Sequence, residues 1–70
     1  MNQKELIDKI TKASNLKKGE VKRLISAFSK TIAETLARGE KVTIANFGTF
    51  HISQTTAHFR ASKKLKEEIR

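Results

Sequence analysis

The sequence contains no cysteine, which excludes disulfides and thiolate metal sites. Its only imidazoles are His51 and His58, too few for a structural zinc site. Tryptophan and tyrosine are missing, so four phenylalanines carry all of the aromatic character. Proline is absent as well. No apolar run approaches the roughly 20 residues of a membrane span, and no positive-then-apolar signal peptide opens the chain. A cytoplasmic protein without membrane contact is expected. There is no Ser/His/Asp arrangement, no pair of inward carboxylates and no glycine-rich phosphate loop, so neither an enzyme nor a cofactor is expected. Seventy residues make one small domain, and a chain this short normally needs a staple or a partner. With disulfides and metal set aside, homodimerisation is the staple that remains.

What the chain has in excess is positive charge. Fifteen Lys and Arg stand against seven Asp and Glu, for a formal net charge of +8. On so small a body that excess points to a polyanionic partner.

Hydrophobic spacing divides the chain into an α+β order of two helices, three strands and a short last helix, expected over residues 3–14, 18–38, 41–45, 48–53, 57–61 and 63–70. Asn2 is a candidate cap for the first helix, with Glu5 as its capping-box partner. Leu6, Ile7, Ile10 and Ala13 share one face of it, and Leu16 is expected to tuck back into the core. The second helix carries Val21, Leu24, Ile25, Phe28, Ile32 and Leu36 at i, i+3, i+4 spacing. Ala27, Ala33 and Ala37 widen this stripe, and Gly39 supplies the stop. Lys17-Lys18-Gly19 offers no standard capping side chain, so a frayed start is expected there.

The stretch Ala45-Asn46-Phe47-Gly48-Thr49-Phe50-His51-Ile52 organises the second half. Asn46-Phe47-Gly48 interrupts two alternating runs and reads as a hairpin bend, Asn and Gly both tolerating positive φ. Gln54-Thr55-Thr56 is a second short turn. Period-two alternation puts Val42, Ile44, Phe50, Ile52, Ala57, Phe59 and Ala61 inward, and Thr43, Thr49, His51, Ser53, His58 and Arg60 outward. Ser62 is positioned to cap the last helix, which Leu65 and Ile69 would dock.

This order resembles the HU/integration host factor family of bacterial DNA-binding proteins. The opening Met1-Asn2-Gln3-Lys4-Glu5-Leu6-Ile7-Asp8-Lys9-Ile10 looks like the family's, and Ala37-Arg38-Gly39-Glu40-Lys41-Val42 looks like the end of its second helix. Asn46-Phe47-Gly48-Thr49-Phe50 is similar to its Gly-Phe-Gly-Thr-Phe signature. Phe59-Arg60-Ala61-Ser62-Lys63-Lys64-Leu65-Lys66 resembles its closing segment. The departures are equally specific. Family members carry about twenty further residues between the second and third strands, a basic β-arm that wraps the minor groove and is tipped by a proline wedge. Here Gln54-Thr55-Thr56 joins those strands, and no residue is available for the wedge that kinks a duplex. Ser53 and Thr55 replace basic residues at the base of the arm, Asn46 replaces the first signature glycine, and Ala57 stands where proline is usual.

The resemblance implies an intertwined dimer, in which Phe28, Ile32, Leu36, Ile44, Phe47, Phe50 and Phe59 of both subunits build a shared core. The residues argue the same way, since three aromatics on a three-stranded sheet exceed what short helices of one chain cover. It also implies double-stranded DNA as the partner, held through phosphates without sequence preference, in a nucleoid-associated protein. Ser62, Lys63 and Lys64 match one contact site of the family. Asn2, Gln3 and Lys4 form a second candidate, with Gln3 where lysine is common. Lys41, Asn46 and Arg60 lie near the saddle that the arms would frame. His51 and His58 are expected as cross-strand neighbours on the outer face, either inert or touching phosphate. Homodimers, and heterodimers with full-length chains of the family, are both compatible with this reading. The alternative function is a dimeric scaffold or dimerisation partner with negligible DNA binding.

Overall fold

The computed structural model describes residues 1–69. Its elements run α1 (Gln3–Ser14), α2 (Lys18–Ala37), β1 (Val42–Ile44), β2 (Gly48–Ser53), β3 (Thr56–Ala61) and α3 (Lys63–Glu68). They fall into two compact units, Met1–Lys30 and the remainder from Thr31 onward.

In the first unit, α1 starts on a complete capping box. The Glu5 N–H donates to Asn2 Oδ1 at 2.9 Å, and the Asn2 N–H donates to Glu5 Oε1 at 3.3 Å. The helix stops at Asn15, whose left-handed backbone (φ 61°) takes the place a glycine often fills. Lys18 Nζ lies 3.1 Å from Asp8 Oδ1, bringing the start of α2 against α1. Ile7 and Val21 are the buried apolar residues of this unit. Leu16 does not tuck in as expected: it stays 40% exposed, its N–H held by Ser14 Oγ.

The start of α2 is not bare. The Lys17 N–H donates to Glu20 Oε1 at 3.0 Å, the acidic half of a capping box working without a capping side chain. At the other end the helix finishes at Ala37, one residue before its expected limit. Gly39 adopts φ 81°, its N–H donates to the Leu36 carbonyl, and the Glu40 N–H donates to the Thr35 carbonyl. These two bonds make a Schellman motif that only a residue tolerant of positive φ completes cheaply. Along the apolar stripe, Val21 and Leu36 are buried whereas Leu24 and Phe28 remain about half exposed.

The sheet has the order β1-β2-β3, antiparallel throughout. Val42 pairs with Phe50 and Phe50 with Phe59, so one face is aromatic and aliphatic. The Phe47, Phe50 and Phe59 rings form a triangle with centroids 4.8–6.5 Å apart, spacing suited to tilted aromatic contacts. Strand β1 is shorter than the expected 41–45, because Ala45–Phe47 forms the turn that the Phe47 N–H closes onto the Ile44 carbonyl. Asn46 takes the positive φ of that turn (64°). Gly48 does not share in it. It opens β2, where an added Cβ would lie 2.5 Å from both the Arg60 carbonyl oxygen and the Phe59 ring. The glycine is there for close approach, not for chain reversal. The second turn is two residues, Gln54-Thr55, with Ser53 paired to Thr56 and Gln54 at φ 59°. Thr56 therefore begins β3 one residue earlier than expected. The last helix ends at Glu68, and the final residue of its expected 63–70 span lies outside the described residues.

Candidate nucleic-acid interface

The strand pairing that turns the phenylalanines to one face turns a polar set to the other. Thr43 pairs with Thr49, Thr49 with Arg60, and His51 with His58. The two threonine Oγ1 atoms are 3.2 Å apart, a hydroxyl pair with one proton shared between them and one left to donate outward. The histidine rings stand 5.3 Å apart with planes inclined by 22°. Lys41, Thr43, Thr49, His51 and Arg60, together with Gly39 and Ile52, line a cavity of about 490 Å³. Two fixed cations and three hydroxyl or imidazole groups in one depression suit an anionic oxygen ligand better than any apolar one.

A second basic group sits at the start of α3. The Ser62 N–H donates to the Phe47 carbonyl at 2.8 Å, tying this point to the β1–β2 turn. Ser62 Oγ accepts the Leu65 N–H at 3.0 Å. Both bonds fix Ser62 as a cap and leave Lys63 and Lys64 on the exposed surface. At six residues this helix has a small dipole, so the lysine ammonium groups supply most of the positive potential. Asn46, in the same β1–β2 turn, is exposed.

The first-helix candidates look different. The Asn2 side chain and backbone are both committed to Glu5, and that carboxylate already neutralises the positive end of α1. Gln3 and Lys4 are exposed beside it. They belong to the N-terminal unit, whereas Lys41, Asn46, Arg60, Ser62, Lys63 and Lys64 all belong to the other.

Thr43, Thr49 and Lys66 were not among the residues singled out from sequence for binding. A signal for them exists. From Lys41 to Lys66 the chain carries Lys41, Arg60, Lys63, Lys64 and Lys66 and not one carboxylate side chain. The two ion pairs found among the described residues, Asp8–Lys18 and Arg38–Glu40, both lie outside that stretch.

The family model for the bacterial DNA-binding protein matches residues 1–58. The chain belongs to this family. It is 38% identical over 69 residues to the DNA-binding protein HU of Thermotoga maritima, covering 99% of this chain and 77% of that one. A solved structure of HU from Thermotoga maritima superposes with a TM-score of 0.92 at 43% identity, and each chain is covered completely. The HU of an Anabaena HU–DNA cocrystal shares the fold, with a TM-score of 0.88 at 24% identity over 99% of this chain and 97% of that one. The two helices, three-stranded antiparallel sheet and C-terminal helix are thus the family's fold, and the chain stands among DNA-binding proteins, not enzymes.

Proposed function

We propose that this protein is a small basic homodimer that binds double-stranded DNA through its phosphates, without sequence preference and with little bending. The observation that carries this reading is the acid-free basic stretch from Lys41 to Lys66, which takes in the sheet and the first turn of α3. Lys41 and Arg60 flank the cavity on the outer face, with Lys63 and Lys64 beside the capped start of α3. Ser62, the cap of α3, and exposed Asn46 in the β1–β2 turn complete this contact set, and Asn2, Gln3 and Lys4 contribute a weaker contact because Glu5 opposes it. Contacts of this type fix position on the duplex and read no bases. Such a ligand implies a nucleoid-associated, cytoplasmic protein.

The low bending follows from the Gln54-Thr55 turn. A 69-residue match that makes up 77% of the Thermotoga relative implies about 90 residues there, some twenty more than here. We assign the difference to the missing β-arm, and the chain has no proline to act as a wedge. Dimerisation is supported by the large apolar side chains a single chain leaves exposed, among them Leu24, Phe28, Phe47 and Phe59. Because this body matches the Thermotoga HU structure end to end, the same surface also suits a heterodimer with a full-length chain. In that second reading the protein is a dimerisation partner that binds DNA negligibly by itself.

The test is fluorescence anisotropy with a linear duplex at roughly 50 and 200 mM salt. Affinity is expected to fall steeply with salt. In the Lys63→Ala/Lys64→Ala variant each lost phosphate contact lowers the log–log salt slope by about 0.9. Absence of binding at the lower salt would rule out the DNA reading and leave the partner role.

A further inference from the structure

His51 and His58 occupy directly opposed positions of the β2–β3 ladder, with ring centroids 5.3 Å apart and planes inclined by 22°. Stacking is the contact that engages them: among the described residues neither imidazole makes a hydrogen bond or an ion pair. His51 also lines the outer-face cavity, beside Lys41, Thr43, Thr49 and Arg60. Alternation along the strands gives His51 the same face as Thr49 and Ser53, and His58 the same face as Thr56 and Arg60. The charged groups about the pair are therefore two cations, Lys41 ahead of β1 and Arg60 on β3. The carboxylate next along the chain, Glu40, lies 3.2 Å from Arg38 Nε and is not part of the cavity lining. From Lys41 to Lys66 there is no other.

We propose that His51 and His58 make DNA binding by this chain proton-linked, the pair taking up protons from solvent as a backbone phosphate seats in the outer-face cavity. The linkage rests on the DNA reading above. Imidazole is the side chain whose charge ordinarily changes between pH 5 and 8. Its neutral form presents one N–H and one lone pair, and its protonated form presents two N–H donors. A phosphodiester offers only acceptor oxygens and has no proton to give. A lone pair facing it is repelled, so the proton that converts that nitrogen to a donor comes from solvent. Like charges directly opposed across strands destabilise a sheet, and Lys41 and Arg60 add to that repulsion. With no carboxylate facing the pair, the bound phosphate is what offsets these charges. Anion and protons therefore bind together, and acid pH favours the complex.

The experiment is fluorescence anisotropy of the full, untagged chain with a linear duplex, at fixed ionic strength and roughly pH 5.5, 6.5 and 8, a range that spans imidazole titration. Affinity is expected to rise as pH falls, with a ceiling of about tenfold per pH unit for each proton taken up. The log–log salt slope should also steepen at the lowest pH, by about 0.9 for each phosphate newly neutralised. His51→Gln/His58→Gln keeps amide donors that do not titrate, and it should flatten the pH profile. Equal affinity at all three pH values overturns the linkage and leaves the DNA reading standing; absence of binding at every pH removes both. A double variant that keeps the parent's pH profile also overturns it, because the proton is then taken up elsewhere. If that variant loses its fold by circular dichroism, NMR of the unaltered protein decides. At fixed pH near about 6.5, DNA must move the His51 and His58 ring-proton resonances toward their acid positions, and unmoved resonances overturn the proposal.

Discussion

Gly48 is the residue at which sequence and structure part most clearly. In the sequence it belongs to Asn-Phe-Gly, where glycine suggests a turn; in the fold Asn46 alone carries the positive φ. Gly48 sits inside the sheet, paired to Ile44 and Ala61, with the Phe59 ring and the Arg60 carbonyl over its α-carbon. Cross-strand crowding of this kind depends on register, and register is invisible in a linear string until the pairing is known. The consequence is measurable. Gly48→Ala forces a methyl against a backbone oxygen that cannot swing away, and overpacking of a tight site costs about 1–3 kcal/mol. Urea denaturation should show a lower midpoint with an unchanged slope. A variant as stable as the parent would mean that Phe59 and β3 yield without cost.

Among the elements, those announced by a periodic apolar stripe were legible. The Asn2–Glu5 box, the α2 stripe and the period-two strands all appear where the sequence puts them, within a residue or two. The start of α2 falls at Lys18 as expected, but what holds it was not legible, because Lys17 has no capping side chain. What holds it is Glu20, reaching back from the first turn to the Lys17 N–H. The two helix starts thus differ by one interaction, the side-chain acceptor that Asn2 provides and Lys17 lacks. Asn2→Ala should cost about 0.5–2 kcal/mol. Glu20→Ala leaves only a solvent-accessible N–H to be taken over by water, and its cost should fall at the low end of a hydrogen bond's net value of about 0.5–1.5 kcal/mol. Chemical denaturation of the two variants side by side gives the order, and a larger loss for Glu20→Ala would contradict it. The candidate site divides the same way. Lys41, Arg60, Lys63 and Lys64 were legible as exposed cations, but their grouping with Thr43 and Thr49 follows from strand pairing.

At the scale of the whole molecule the sequence is informative through imbalance. It carries more large apolar side chains than one chain covers: Phe28 is 48% exposed, Phe59 43% and Phe47 40%. Isolated exposed apolar residues are common on any protein. The Phe47, Phe50 and Phe59 rings, which already touch one another, are a different matter, since water over such a patch is costly. In the proposed homodimer that patch is covered by its copy, and folding and association become a single equilibrium. Its midpoint must then depend on protein concentration. A tenfold increase adds about 1.4 kcal/mol per dimer to the stability, which for some 140 residues raises Tm by roughly 3–6 °C. Thermal melts followed by circular dichroism at a few μM and at tenfold higher concentration are sufficient to detect this. A Tm independent of concentration over that range would show a chain that folds alone with its aromatic face in water, and the homodimer would have to be abandoned.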